Sequence, residues 1–457
     1  MTTPLSHPTI APLALAPQAG ESVPSPTLAI NETIAARRAA GRSVIHLGFG
    51  EASFPLHPLL RAALAEHAPR TSYAPVLGIP ALRQAIAGYL ARTRSLDVSA
   101  AQVAVAPGSK PLLYTLMQVL QGDLLLPAPS WVSYAPQAHL AGRRVIAVQP
   151  DASDHHRLTP QALAAAWERA RSERADPRIL LVNTPSNPTG GMFERADVEA
   201  IALWAREQGI TIISDEIYAE LAHGWRAHVS PAAFYPEGTI VTGGMSKAFS
   251  AGGWRLGYAV LPGTEAGERV MAALRALASE IWSAASTPVQ EAAVVAYSPN
   301  ADLETYVWRS AKLHGHITGR FYQTLRSLGV LCARPAGAFY LYPDFAPWRE
   351  ALAARGVTTS AGLTRLLLEE WDIATLPGEA FGEEPGSLRL RVATSLLCVP
   401  EAGSPAEREV ELWNLLAQAD ALPADDPAVG QQLPLPALER AQIGLAAFVA
   451  SLGEPAE

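Results

Sequence analysis

The stretch GGMSKAF at residues 243–249, followed by GGWRLGY at residues 252–258, is the most informative part of the chain. It contains Lys247, one of only three lysines among 35 basic residues. An ammonium can lose its proton and attack a carbonyl, whereas a guanidinium cannot. Lys247 in this small-residue turn is therefore interpreted as a Schiff-base lysine, and Arg255 as a phosphate-binding arginine. The alternative interpretation is an exposed surface lysine.

Around this stretch, short apolar runs alternate with segments that can form amphipathic helices. The runs lie at residues 103–106, 124–126, 145–148, 179–182, 212–214, 240–242 and 256–260. Helices are predicted at residues 111–121, 131–141, 160–172 and 196–208. Continuous apolar strands alternating with helices indicate a mainly parallel sheet that is covered on both faces. The predicted fold is α/β: a large domain with a mainly parallel seven-stranded sheet covered by helices, and a smaller α+β domain.

The segments before and after these runs are assigned to a leader and to the smaller domain. We predict a flexible leader at residues 1–27, the N-terminal part of the small domain at 28–69, the large domain at 70–300 and the C-terminal small domain at 301–457. Expected elements are helices at 28–40, 57–67, 80–93, 303–327, 360–370 and 436–451, and strands at 44–47, 337–342 and 388–393. Residues 400–434, rich in Ala, Pro, Glu and Asp, are expected to be irregular.

Composition excludes several classes of protein. A hydrophobic content of 49% and a charged content of 17% indicate a well-buried globular chain. The net charge of −8 argues against a nucleic-acid partner, and no apolar run is long enough to span a membrane. Residues 1–26 lack the basic start of a signal peptide. The two cysteines, Cys332 and Cys398, have no metal-ligand spacing, so we expect no metal site. So few cysteines fit a reducing compartment, so we expect a cytoplasmic protein.

Two turns after predicted strands can bind anions or present polar groups. The sequence PGSKP at residues 107–111 opens a helix, and free backbone N–H groups at a helix N-terminus attract an anion. A simple helix cap is the alternative. The sequence NTPSNPTG at residues 183–190 follows a buried strand and presents Asn187 at the carboxyl end of the sheet, where α/β folds bind ligands.

Two further segments contain charged side chains in apolar surroundings. In SDEIY, residues 214–218, the carboxylate of Asp215 leaves a buried strand and needs a partner. A protonated pyridine nitrogen would suit it, and Tyr218 could bond the phenolic oxygen of the same ring. In LRLRVATS, residues 388–395, Arg389 and Arg391 share one face of a strand. Arginine binds carboxylates bidentately, although a solvated edge is an equal alternative.

An anion cradle, a carboxylate, an amine nucleophile and a carboxylate clamp are the four groups that pyridoxal 5′-phosphate chemistry uses. The strings NPTG, SDEIY and SKAF…GGWRLGY, in this order, make residues 28–398 resemble the class I/II aminotransferases. These are fold-type I pyridoxal-phosphate enzymes of the aspartate aminotransferase kind. The resemblance implies transfer of an amino group from an L-amino acid to a 2-oxo acid, expected to be 2-oxoglutarate, by a ping-pong mechanism.

The resemblance also implies roles for individual residues. Lys247 would be the Schiff-base lysine and proton shuttle, Asp215 the partner of the pyridinium N–H, and Tyr218 and Asn187 the partners of the ring oxygen. The implied phosphate site and ring contacts are Gly108, Ser109, Lys110, Ser246, Arg255 and Trp131. Tyr73 would reach the phosphate of a neighbouring subunit, so a homodimer is expected. The substrate carboxylate would meet Gly50, Asn187 and Arg389.

Some residues depart from the family pattern. Gly244 replaces a common Ser or Thr, residues 51–54 read EASF, and Arg391 stands where Ser is common. Arg391 could receive an acidic side chain or pair with a structural Glu. Aromatic residues that could instead favour an aromatic substrate, or merely pack, are Phe49, Trp254, Trp282 and Phe381.

Other functions remain open at this point. With the same cofactor, elimination, decarboxylation or cyclisation of an amino acid is the main alternative, because fold does not determine the reaction. A non-catalytic regulator would normally need a fused DNA-binding module. A nucleotide-binding dehydrogenase lacks its G-x-G-x-x-G motif here.

Overall fold

The computed structural model describes residues 24–150, 156–224, 226–423 and 433–454. The strands are β1 (Ile45–His46), β2 (Val103–Ala106), β3 (Asp123–Pro127), β4 (Val145–Val148), β5 (Pro177–Asn183), β6 (Thr211–Asp215), β7 (Thr239–Gly244), β8 (Gly257–Val260), β9 (Tyr340–Leu341), β10 (Ile373–Ala374), β11 (Leu376–Pro377) and β12 (Leu390–Ala393). The helices are α1 (Pro26–Ala39), α2 (Pro58–His67), α3 (Pro80–Arg94), α4 (Ser109–Val119), α5 (Tyr134–Leu140), α6 (Pro160–Ser172), α7 (Arg195–Gln208), α8 (Glu265–Ile281), α9 (Thr287–Tyr297), α10 (Ala301–Ser327), α11 (Arg349–Ala354), α12 (Ser360–Trp371), α13 (Pro405–Gln418) and α14 (Pro436–Ser451).

The seven apolar runs all form strands of one large sheet. Its strand order is β2-β8-β7-β6-β5-β3-β4. Strand β8 is antiparallel to both of its neighbours, and the other pairs are parallel. The predicted mainly parallel seven-stranded sheet is confirmed. Its central strands are buried along their length because helices cover both faces.

Local signals set the helix boundaries around this sheet. Helix α6 begins at Pro160, where the Thr159 hydroxyl accepts a hydrogen bond of 3.2 Å from the Ala162 N–H. Helix α7 ends at Gln208, and the next residue, Gly209, has a φ of +65° that suits a left-handed C-cap. Helix α4 begins at Ser109, earlier than predicted, because Gly108 with φ +97° turns the chain directly out of β2.

The C-terminal part packs around the long helix α10 and two small sheets. One sheet joins β1 and β10 in parallel, and the other has the order β11-β12-β9 with antiparallel pairs. Leu313, Ile317, Phe321 and Leu325 recur at helical spacing on α10 and are buried in the core of this part. Strand β12 is the central strand of the three-stranded sheet, and its hydrogen bonds to both neighbours fix the direction of its side chains.

The expectation that residues 400–434 are irregular was wrong for much of that segment. Helix α13 occupies Pro405–Gln418 and begins with a capping box between Ser404 and Glu407. Its apolar side chains pack on the core of the C-terminal part, which outweighs the local composition. The strand expected at 337–342 is short, spanning Tyr340–Leu341. Residues 424–432 and the leader up to residue 23 lie outside the described residues.

In the described ranges, no helix is both long and apolar enough to cross a membrane. The domain boundaries at residues 69/70 and 300/301 remain a prediction, because the hydrophobic cores of the two parts do not show at which residue one domain ends.

Candidate active site

A cavity of about 270 Å³ lies where the parallel strands β5, β6 and β7 end. The sheet register places Asn183 opposite Asp215, and Asp215 opposite Thr242. The residues predicted for the site that line this cavity are Gly50, Ser109, Lys110, Trp131, Asn187, Asp215, Tyr218, Ser246, Lys247 and Arg255. Segments far apart in the sequence therefore meet at the carboxyl edge of the sheet, as α/β folds favour.

Lys247 projects into the cavity from the turn after β7. Its ammonium donates a hydrogen bond of 2.7 Å to the Gly50 carbonyl and lies 5.6 Å from the ring centres of Tyr218 and Phe339. Burial lowers the pKa of Lys247 to about 8, although the charge of Glu51 opposes this shift. A lysine with this pKa is partly neutral near physiological pH, so its nitrogen can act as a nucleophile or base.

Asp215 lies at the end of β6 and is buried. One carboxylate oxygen accepts a 2.7 Å hydrogen bond from the Tyr134 hydroxyl, and the other accepts one of 3.2 Å from Thr242. Burial raises the pKa of Asp215 to about 6, and these two hydrogen bonds hold it down. Asp215 can therefore carry a negative charge at neutral pH and pair with a cationic ring nitrogen in the cavity.

Tyr134 was not assigned a role from the sequence. It follows Trp131 in the string PSWVSY at residues 129–134, and the two rings are edge to face at 5.1 Å. The signal available in the sequence was the second aromatic residue of that string. Sequence spacing alone did not show that Tyr134 reaches Asp215.

An anion cradle forms where α4 begins beside Arg255. Gly108 has φ +97°, and a Cβ there would lie 2.4 Å from the guanidinium of Arg255. A Cβ on Gly257 would lie 2.3 Å from the Ser109 nitrogen, so glycine is needed for this close approach. Free N–H groups at the start of α4, the Ser246 hydroxyl and the Arg255 guanidinium can together bind a phosphate.

Lys110 adds a second ammonium to the same cavity. Its nitrogen lies 5.0 Å from the centre of the Trp131 ring. Burial, followed by the charge of Arg255, lowers the pKa of Lys110. In the part of the chain that the structure describes, Lys110 forms no ion pair, so its charge is available to an anionic group.

Tyr340 is another cavity residue that the sequence did not identify. Its hydroxyl is 2.7 Å from the Tyr218 hydroxyl and accepts a 3.5 Å hydrogen bond from the Asn187 amide. A Cβ on Gly50 would lie 2.0 Å from this hydroxyl, which explains the glycine. Tyr340 was visible only as one apolar position of the short strand β9.

Arg391 lies in β12 and Arg389 directly precedes this strand, and their different positions correct the sequence prediction. Arg391 is the buried arginine of the cavity: it donates to the Gly48 carbonyl at 2.5 Å and to the Asn187 side chain at 3.4 Å. Arg389 instead forms ion pairs of 3.0 Å with Asp344 and 3.1 Å with Glu383. Arg389 does not line the cavity, so its position does not fit the carboxylate role predicted for it, whereas Arg391 does line the cavity.

The environment of Arg391 leaves it ready for an anion. Its guanidinium lies over the rings of Tyr340, at 5.1 Å, and Phe381, at 5.2 Å. Burial lowers its pKa, and among the described residues no carboxylate pairs with it. Its Nε–H is buried without an acceptor. A buried and unpaired guanidinium is costly, and a substrate carboxylate would compensate it.

Tyr73 lies outside the cavity, with 92% of its side chain exposed in the single chain. Its role across a dimer interface therefore stays a prediction. Of the aromatic residues considered for substrate binding, Phe49 lines the cavity, whereas Trp254, Trp282 and Phe381 do not.

Comparisons with known proteins agree with this geometry. The family model for class I and II aminotransferases matches residues 42–396. The chain is 37% identical over 408 residues to an aspartate aminotransferase of Geobacillus stearothermophilus, covering 87% of this chain and 99% of that protein. It is 34% identical over 409 residues to an aspartate aminotransferase of Bacillus subtilis, with 87% of this chain and 99% of that protein covered.

Solved structures give the same result. The aspartate aminotransferase from Thermus thermophilus with maleate has a TM-score of 0.75 and 28% identity, covering 89% of this chain and 98% of that chain. An aromatic aminotransferase from Pyrococcus horikoshii has a TM-score of 0.69 and 26% identity, with 84% of this chain and 98% of that chain covered.

The chain belongs to the class I and II aminotransferase family. It has the fold-type I architecture, and it is a pyridoxal-phosphate-dependent aminotransferase, as its motifs predicted.

Proposed function

We propose that the enzyme transfers the amino group of an acidic L-amino acid, aspartate, to 2-oxoglutarate. The observation that carries this proposal is the presence of two cationic side chains, Arg391 and Lys110, that line one cavity and have no carboxylate partner among the described residues. Two separate cations suit a substrate with two carboxylates. The relatives named above are aspartate aminotransferases, and one solved structure contains maleate, a dicarboxylate.

The residues of the cavity fit pyridoxal 5′-phosphate. The cradle at Gly108, Ser109, Ser246 and Arg255 would hold its phosphate, and the face of Trp131 would cover its ring. The cofactor, when bound, supplies an aldehyde and a ring that accepts electrons. The Asp215 carboxylate, held by two hydroxyl groups, would keep a proton on the ring nitrogen.

The protein side chains would then divide the reaction between them. Arg391 binds and orients the α-carboxylate of the substrate, because its Nε–H has no other acceptor. Lys247, with its lowered pKa, would remove the α-proton and return it to the former aldehyde carbon of the cofactor, on the other side of the nitrogen. The Tyr218 hydroxyl, fixed by Tyr340 at 2.7 Å, is placed to bond the ring oxygen.

The acidic side chain of the substrate would meet Lys110. Its ammonium lies over Trp131, the aromatic side chain proposed to cover the ring. An aromatic donor is the second candidate, since Phe49 and Trp131 also line the cavity and one structural relative is an aromatic aminotransferase. An aromatic side chain would leave the Lys110 ammonium with only the cofactor phosphate as a possible partner, which favours aspartate.

The test is to measure the rate of the half-reaction with aspartate and, separately, with phenylalanine. The absorbance of the bound cofactor reports the progress of each half-reaction. We expect Lys110→Ala to lower kcat/KM for aspartate about 10- to 100-fold, because one charge-assisted hydrogen bond is lost, and to leave phenylalanine nearly unchanged. An equal loss with both donors would contradict the acidic substrate.

The active form would be a homodimer in which Tyr73 meets the phosphate of the other subunit. The exposure of Tyr73 supports this proposal. Sedimentation of the holoenzyme checks it, and a monomer with full activity would refute it.

A further inference from the structure

A second cavity, of about 460 Å³, contains four arginines and one carboxylate. The arginines are Arg38, Arg42, Arg408 and Arg440, and the carboxylate is Glu401. They come from the end of α1, the turn after it, α13 and α14, so tertiary packing brings them together. None of them lines the active-site cavity. We call this cavity the arginine cleft.

The positive charge of the arginine cleft is only partly compensated. Arg440 pairs with Glu401, and Arg42 pairs with Asp372 at 3.0 Å. Arg38 donates to the Val44 carbonyl at 3.4 Å and has no carboxylate partner in the described ranges. Arg408 likewise has no acidic partner in the part of the chain that the structure describes. Two guanidinium groups therefore remain without a counter-charge.

An arginine N–H group without a hydrogen-bond acceptor also indicates that the cleft can bind an anion. The Nε–H of Arg440 is buried and finds no acceptor among the described residues. A buried donor without an acceptor costs free energy, which an anion in the cleft would recover. The N-terminal turns of α13 and α14 also contribute, since Arg408 and Ala437 lie in them and line the cleft.

We propose that the arginine cleft binds a small polyanion, a phosphate ester or a polycarboxylate, and thereby tunes the affinity of the active site for the amino acid. Arginine binds both chemical groups bidentately. A single carboxylate among four arginines disfavours a cationic ligand. This inference does not depend on the identity of the amino donor.

The walls of the cleft continue into the active site. His46 of β1 lines the cleft, and two residues later the Gly48 carbonyl accepts the 2.5 Å hydrogen bond from Arg391. Leu397 lines the cleft just after β12, the strand that carries Arg391. A ligand that draws Arg38 and the start of α13 together would therefore shift both supports of Arg391.

Helix α1 is a second connection. Thr27 and Leu28 in its first turn line the active-site cavity, whereas Arg38 near its last turn lines the cleft. A rigid helix of 14 residues transmits a displacement of one end to the other. The expected effect is on substrate binding, because Arg391 is the group that the Gly48 carbonyl and β12 support.

The test is calorimetric titration of the holoenzyme with tripolyphosphate and, separately, with citrate. The variant is Arg38→Gln/Arg408→Gln, and Arg275→Gln, an exposed arginine on α8, is the matched control. We expect the double variant to bind at least about tenfold more weakly, because charge-assisted hydrogen bonds are lost, and the control to bind as wild type does. The tighter of the two ligands identifies the phosphate or the polycarboxylate class.

Equal affinity of the wild type, the double variant and the control for these ligands would overturn the proposal that the arginine cleft is their binding site. The link to the active site is measured separately, as the KM for the amino donor with and without the tighter ligand. We expect a change of KM in wild type and in the control, and no change in the double variant. A KM that does not respond in wild type would overturn the coupling.

Discussion

The end of the large sheet and strand β12 face each other across the active-site cavity, and they compensate their charges differently. At the sheet end, Asp215 is held by the Tyr134 and Thr242 hydroxyls, and Lys247 by a carbonyl. Arg389, directly before β12, is neutralised by two carboxylates, whereas Arg391 in β12 is buried without one. The charged groups at the sheet end therefore have hydrogen-bond partners before a substrate binds. On the β12 side, the charge of Arg391 gains a partner only when the substrate binds.

The largest effect is expected from the sheet end. Lys247→Ala removes both the proposed nucleophile and the proposed base, so turnover should fall by at least about 10⁴-fold. The absorbance that marks the covalent bond between the enzyme and the cofactor should be missing in this variant. Lys312→Met is the control, because Lys312 lies over Trp308 at 4.3 Å on α10 and outside the cavity. Normal turnover without Lys247 would remove the basis of the mechanism.

The next effect separates Arg391 from Arg389. Arg391→Met should lower kcat/KM for the donor by roughly 10²- to 10⁴-fold, because two charge-assisted hydrogen bonds to the carboxylate are lost. Arg389→Met is the matched control, two residues earlier in the chain and outside the cavity, and we expect less than about a threefold change. Steady-state kinetics of both variants measures this. A larger loss at Arg389 would restore the original sequence prediction.

A smaller effect tests how Asp215 is held. Tyr134→Phe removes a donor to the carboxylate, so the pKa of Asp215, about 6 in wild type, should rise. The rise is about one unit, since a hydrogen bond is worth roughly 1 kcal/mol. The ionised carboxylate holds the ring N–H, so cofactor affinity is lost as pH falls through this pKa.

The midpoint of cofactor affinity against pH should therefore move upward in Tyr134→Phe. Fluorescence titration of the apoenzyme between about pH 5 and 8 measures it. Tyr114→Phe is the control, because the Tyr114 hydroxyl bonds Gln118 on α4 and not Asp215. A midpoint that stays in place would show that Tyr134 does not stabilise the charged form.

The sequence predicted the sheet better than the C-terminal part. All seven strands were visible because a buried strand in a parallel sheet is a continuous apolar run. Helix α13 was missed because its segment has an irregular composition, although Ser404 and Glu407 form a capping box that the spacing alone could have indicated. Its apolar side chains become informative only when the core they join is known.

The sequence by itself determined the family, the cofactor and the residues at the strand ends, because each of those motifs is contiguous and a strand end fixes where its next side chains point. Only the tertiary structure placed Arg391, and not Arg389, in the active-site cavity, and only it brought Tyr134, Tyr340 and the four arginines of the cleft to their places. Alternation on a strand shows that two side chains share a face, but which one is neutralised depends on carboxylates contributed by other segments, here Asp344 and Glu383.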